Sequence, residues 1–278
     1  MVKGKQPGRK YELACAKKAA MVESSIKGVE AMKIDTSFDF TSDSPRFWDT
    51  FWQNNYGMGG GGSDPDTTSD TLKKYHQALW SKKLPNGDTL DLRACKAPDY
   101  LAWRDFRFGS DSIIVSFRHN KCRGLINAVK DALPDYQQFM EDFVHKTYTI
   151  GGSIIFPKHV NSMNQRKGCH PLIGDRWDLT LECIRRFYNG ENSPLQSTLL
   201  ADKAFYDLFV DFRGYVDFFY LQDCVADDYS SVTIWQGAGD FTENPYPQDV
   251  EQYLNWIHTQ LDFTEKRNQR IAQASLPK

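Results

Sequence analysis

The ten residues from Tyr148 to Pro157, Y-T-I-G-G-S-I-I-F-P, carry no charge and constrain this chain more than any other stretch. Ile150, Ile154, Ile155 and Phe156 make a strand that is apolar on both faces, which only an interior position satisfies. Gly151 and Gly152 leave room for a bulge or for another backbone at close range. Pro157 stops the strand. A polar loop follows, K-H-V-N-S-M-N-Q-R-K-G-C-H-P-L-I-G, and then a sharply started helix over 175–188, D-R-W-D-L-T-L-E-C-I-R-R-F-Y.

Around that centre the periodicity predicts mostly helix. Ser69 or Asp70 caps a helix in which Leu72, Tyr75, Leu79 and Trp80 share a face, with His76 one residue off the stripe as a hydrogen-bonded boundary residue. Pro85-Asn86-Gly87 reads as a turn and Thr89 to Leu92 as strand-like. The stretch M-K-I-D-T-S-F-D-F at 32–40 alternates like a strand, and D-S-I-I-V-S-F at 111–117 reads as a core strand. Two short helices follow, the first ending before Pro134. Leu195 to Val225 is a long apolar-periodic segment that Gly214 can bend or break. Val232 to Trp235 is a last strand candidate. The final helix runs from Asp249 to about Ala272, with Tyr253, Trp256, Ile257 and Leu261 as its apolar stripe.

These elements predict an α+β fold: a single compact domain, mostly helical, with a small sheet of short strands. Phe47, Trp48, Phe51, Trp52 and Tyr56 are read as core carried on a short helix. The glycines that follow make a flexible loop near 57–66, and no Lys-Ser/Thr closes them into a phosphate loop. Residues 1–31 are Ala-rich and hold seven Lys/Arg against three Glu, so they are expected to be a basic N-terminal extension outside the fold, with 32–278 as the globular domain.

Charge is distributed unevenly along the chain. The formal net charge of -2 makes no general case for nucleic acid or membrane, but residues 157–190 hold six Lys/Arg against three Asp/Glu, and residues 201–251 hold two against eleven. Six scattered cysteines show neither a C-x-x-C pair nor zinc-like spacing, and Cys183 and Cys224 fall in apolar segments. Reduced thiols, a cytoplasmic location and no membrane span are the expectations.

The opposed charge points to a site. A strand leading through donors into a helix start is a common anion-binding arrangement. Asp175 as N-cap and Asp178 three residues on would repel an anion from the helix end, so Asn164, Arg166, Lys167, Arg176 and Arg185 are the ligand-binding candidates. Asp178 and Glu182 are the acid-base candidates, and no metal set is discernible. Asp217 or Asp223 is expected to pair with Arg176, Arg185 or Arg186 across two helices, giving a supporting network of Asp175, Arg186, Asp217 and Asp223. The expected ligand is a nucleotide, nucleic-acid end or other phosphorylated compound, and no cofactor is indicated. The alternative is a non-enzymatic interaction or regulatory protein in which the Arg and Asp rows are structural salt bridges.

Five phrases carry a resemblance: M-K-I-D-T-S-F-D-F, Y-H-Q-A-L-W-S-K-K-L-P-N-G at 75–87, Y-T-I-G-G-S-I-I-F-P, D-R-W-D-L-T-L-E-C-I-R-R-F-Y and D-F-R-G-Y-V-D-F-F-Y-L-Q-D at 211–223. Together they resemble a bacterial family known only as a domain of unknown function, over roughly residues 32 to 272. That implies a single bacterial domain and lends no activity, cofactor or site residue.

Overall fold

In the computed structural model the described residues are 33–44, 46–53, 64–96, 99–113, 123–157, 170–237 and 239–275. The basic extension, the glycine-rich stretch 54–63 and the loop 158–169 lie outside them. From Ile34 onward the chain forms one compact α+β unit.

An antiparallel sheet, fully buried in its second and fourth strands, organises it. Strands β1 (Arg93–Ala94), β2 (Leu101–Trp103), β3 (Phe106–Ser112) and β4 (Ser153–Pro157) are ordered β1-β2-β3-β4. Every residue of β4 is buried, as its unbroken apolar run requires. Ser110 pairs with Ile155 and Asp111 with Ile154. The strand expected at 111–117 therefore sits earlier, at 106–112, and residues 114–117 are outside the described set. Ile150–Gly152 form a 3-10 turn before β4.

Helices cover the sheet. They are α1 (Phe47–Gln53), α2 (Pro65–Thr68), α3 (Asp70–Trp80), α4 (Arg123–Ala132), α5 (Tyr136–Thr147), α6 (Trp177–Tyr188), α7 (Gln196–Ala201), α8 (Lys203–Tyr206), α9 (Phe212–Phe218) and α10 (Val250–Ala274). Local chemistry explains the clean starts: Ser69 Oγ accepts from Leu72 N at the head of α3, and Asp249 accepts from Gln252 N at the head of α10. Phe47 and Phe51 of α1 are buried, as a core helix needs. Helix α10 packs on α4, α5 and the 150–152 turn. Gly151 makes that approach possible, because a Cβ there would stand 2.4 Å from the Thr264 carbonyl oxygen.

Several expectations need correction. Residues 33–40 hold turns and the start of a 3-10 helix, Phe40–Asp43, because Asp39 caps that helix through Thr41 N. Thr89 makes only an isolated bridge to Lys83, and Val232 one to Val225, so neither stretch joins the sheet. The segment 195–225 is not one helix but α7, α8, a 3-10 turn at Asp207–Phe209, α9 and a 3-10 turn at Gln222–Cys224. The break comes at Val210, whose φ of 71° and ψ of -54° no helix accommodates.

Candidate functional site

The charged face of α6 was expected to open on a cleft, but the fold turns it inward. Asp175 has φ 62° and cannot be the cap; Arg176 occupies that place with extended φ and ψ. The Arg176 guanidinium instead grips Asp178, with Nε 3.0 Å from Oδ1 and Nη2 on Oδ2. Asp178 Oδ2 also accepts from Trp235 N at 2.9 Å, and Arg176 Nη1 donates to Pro245 O at 3.0 Å. Both side chains are buried, at 1% and 0% exposure, and so are shielded from solvent. Carboxylate and guanidinium satisfy each other and staple two later loops to the start of α6.

One turn on, Glu182 accepts from Arg185 Nε at 2.8 Å and from Arg186 Nε at 2.8 Å. Arg185 reaches on to Glu191, and Arg186 to Gly239 O. The pairing expected between these arginines and the acidic segment does not form. Asp223 pairs with Arg270 of α10, and Asp217 accepts from Gln222 Nε2 at 2.9 Å and Tyr229 Oη at 2.6 Å. Glu182 takes Arg185 and Arg186 on its own helix, and Asp223 takes Arg270 of α10 instead. Asn164, Arg166 and Lys167 lie outside the described residues.

A different hollow is present. A cleft of about 620 Å³ opens between the turn after α3 and the head of α9, lined by Lys82, Lys83, Leu84 and Pro85 on one side. Val210, Asp211, Arg213, Gly214, Asp217 and Tyr220 stand on the other. Of the expected site residues, Asp217 lines it. Lys82, Lys83, Val210 and Tyr220 were missed. The one hint in the sequence is a lysine pair set between the Trp-ended helix and its Pro-Asn-Gly turn.

Lys82 is the innermost cation of the cleft. Its Nζ donates to Phe218 O at 2.7 Å and stands 3.9 Å from the Tyr220 ring centroid, 4.5 Å from Phe218 and 5.1 Å from Trp80. Among the described residues it has no carboxylate partner. Burial first, and then the charge of Arg267, pushes its ammonium down to about 7. Arg267 of α10 is fully buried behind Trp80, its Nη1 on Gly151 O at 2.8 Å and Ser153 O at 2.7 Å, its Nε on Phe219 O at 3.1 Å. It too has carbonyls rather than a carboxylate, and burial holds it down to about 10.

The rim of the cleft is strained. Asp211 N donates to Phe209 O at 2.8 Å across Val210, which closes a classic γ-turn with a β-branched residue at its centre. Val210 is 64% exposed, so burial does not repay that conformation. Asp211 caps α9 through Gly214 N at 2.7 Å and holds the turn in place. At the mouth Arg213 is exposed and only loosely paired with Asp217, at 3.8 Å.

Contrary to the boundary position expected of it, His76 is fully buried. Trp80 Nε1 donates to its Nδ1 at 2.9 Å, which leaves Nε2 to donate to Ser110 Oγ at 3.1 Å. Ser110 in turn donates to Asp66. The serine proton is committed to a carboxylate, so the row links α3, β3 and α2 rather than arming a nucleophile. No group of three or more His, Cys, Asp or Glu among the described residues is placed to hold a metal ion. No helix of the described residues is long and apolar enough to cross a membrane.

Fold and cleft together define a single α+β domain with a cation-lined, aromatic-walled hollow. The chain belongs to the family of unknown function DUF6994, which it matches over residues 34–271. No curated protein and no solved structure matches it.

Proposed function

We propose that this domain binds a small phosphorylated ligand in the cleft between Lys82 and Arg213. What carries the reading is an imbalance of charge. Lys82, Lys83 and Arg213 line the hollow, with Arg267 buried behind it. They outnumber the two carboxylates present, Asp211, which accepts from the Gly214 amide, and Asp217, which accepts from Gln222 and Tyr229 and stands 3.8 Å from Arg213. An anion entering there meets Lys82 against the aromatic wall, where a charge is worth more than in water, and Lys83 and Arg213 at the exposed mouth. A hollow of this size suits a small molecule rather than a duplex.

The strained turn at Val210 supports the same place, because backbone held off its minimum concentrates at binding sites. Among the described residues the exposed large apolar side chains are Leu172, Leu200 and Val210, with no aromatic surface to favour a protein-interaction role. The resemblance of five phrases to a bacterial family, and the scattered cysteines, support a bacterial, cytoplasmic setting.

Thermal shift with inorganic phosphate, nucleotides and sugar phosphates tests the reading. A ligand at a hundredfold excess over its Kd adds about 2.7 kcal/mol of stability. The shift should vanish in an Arg213→Ala, Lys83→Ala double variant and survive in Arg185→Ala. A shift with the opposite pattern would return the site to α6, and no shift with any compound would remove it.

A further inference from the structure

We infer that Lys82 is a nucleophile: its Nζ condenses with the carbonyl carbon of a small aldehyde or ketone that also carries an anionic group. The inference rests on the anion-binding reading above and names the substrate class of the same cleft.

The geometry suits an amine that reacts. Phe218 O holds one N–H of Lys82 at 2.7 Å and so orients the nitrogen, leaving its lone pair uncommitted when neutral. No carboxylate among the described residues pairs with it to hold the ammonium form. The charged and titratable groups around it are Lys83 on its own turn, Asp211, Arg213 and Asp217 across the cleft, the Tyr220 hydroxyl, and buried Arg267. A lysine desolvated within the field of a second cation, here Arg267 behind Trp80, is prepared for imine chemistry. Burial and Arg267 supply that pressure, bringing the ammonium to about 7.

The step balances without oxidant or reductant. The nitrogen lone pair forms the N–C bond as the carbonyl π pair moves to oxygen. Both amine protons end on that oxygen, which leaves as water, and the C=N bond remains. When the imine takes up a proton it is again a cation, over the same Tyr220 and Phe218 rings that face the ammonium. The rings therefore stabilise the protonated imine as they do the ammonium, while burial and Arg267 keep the free amine accessible near pH 7. Arg213 and Lys83 at the mouth stand where an anionic substituent would be held.

The test is reductive trapping on the intact chain. Pyridoxal 5′-phosphate and pyridoxal, each with cyanoborohydride, are compared at about pH 7.5, and the modified lysines are mapped by peptide mass spectrometry. Lys82 should be labelled at least about tenfold faster than exposed Lys74, Lys203 and Lys266, because an ordinary lysine is almost wholly protonated there. Its rate should rise through pH 7 and level off, while theirs keep climbing. Inorganic phosphate should slow the phosphorylated probe and spare the other. Labelling of Lys82 no faster than the exposed lysines overturns the inference, even if phosphate still raises the melting temperature. Fast labelling by both probes with no phosphate protection upholds the amine chemistry and overturns the anion-binding reading. Lys82→Arg, which keeps a cation and cannot form the imine, should lose the label. Because the wild-type rates decide the matter, a misfolded variant would not spare the proposal.

Discussion

The side-chain nitrogen of Lys82 donates to the main-chain oxygen of Phe218 at 2.7 Å, across 136 residues of chain. This bond ties the exit of α3 to the end of α9 and places an amine at the meeting point of three aromatic rings. Its titration has a definite sign. The folded value of about 7 lies below the ordinary 10.5, so between those values the unfolded chain binds the extra proton. Stability should rise with pH across that window, by roughly 2 kcal/mol between pH 7 and 9. In Lys82→Met the rise should flatten. Urea midpoints at the two pH values check this, and an equal rise in both proteins would show the amine to be protonated in the fold.

His76 gives the acid-side counterpart. Burial, then the Arg267 charge, pushes it down to about 3, against an ordinary 6.5. A second proton on the ring would also set an N–H against the Trp80 indole N–H that now donates to Nδ1. The unfolded chain takes up this proton first, so stability is complete above about pH 6.5 and is lost as pH falls towards 3. The loss should be near 2 kcal/mol by pH 5, and His76→Gln should lose less over that interval. Urea unfolding at pH 7 and pH 5 in both proteins measures the difference.

How much of this was legible in the sequence differs from element to element. The cap at Ser69 or Asp70, the start of the last helix near Asp249 and the buried run of β4 were readable, because each depends on neighbours a few residues away. The cleft was not, because Lys82 acquires its character from Phe218, Tyr220 and Arg267, which lie far along the chain. The α6 site was misread for another reason. A row of alternating charges looks the same whether it faces water or lies inside, and only the loops at Trp235 and Pro245 put Asp178 and Arg176 indoors. Val210 interrupted a good helical pattern through its backbone, which apolar spacing does not record.

The Arg176–Asp178 pair should behave as a buried ion pair. Removing one partner strands the other charge away from water, so Asp178→Asn and Arg176→Met should each cost about 3–5 kcal/mol. The double change Arg176→Met, Asp178→Leu should cost less than either alone, because no charge is left unpaired. Chemical denaturation of the three variants settles it. Additive losses would mean that the two side chains act separately.

Two glycines make a controlled contrast. A Cβ on Gly151 would meet the Thr264 carbonyl at 2.4 Å and the Asn268 side chain at 2.7 Å, between two elements that have little freedom to part. Gly151→Ala should therefore cost about 1–3 kcal/mol, as overpacked positions do. Gly124, near the start of α4, has nothing within 4 Å of the added carbon. Gly124→Ala should stabilise by about 0.4–1 kcal/mol. Melting curves of both variants test the assignment, and equal effects would mean that α10 does not press on the 150–152 turn.

Val210 brings stability and ligand binding into opposition. Its side chain is 64% exposed, so replacing it forfeits little burial, while its φ of 71° and ψ of -54° are far easier for glycine. A strained conformation of this kind costs of order 1–3 kcal/mol, set against the roughly 1 kcal/mol of extra chain entropy that glycine brings to the unfolded state. Val210→Gly should be neutral to about 2 kcal/mol more stable, whereas at an ordinary exposed position valine to glycine loses stability. If the γ-turn fixes the cleft wall, the same variant should bind inorganic phosphate more weakly, because Asp211 and Arg213 would no longer be held at one register. Unfolding midpoints and phosphate titration on the same protein separate the two effects. A variant that loses stability and keeps its affinity would show that the turn is a packing compromise rather than part of the site.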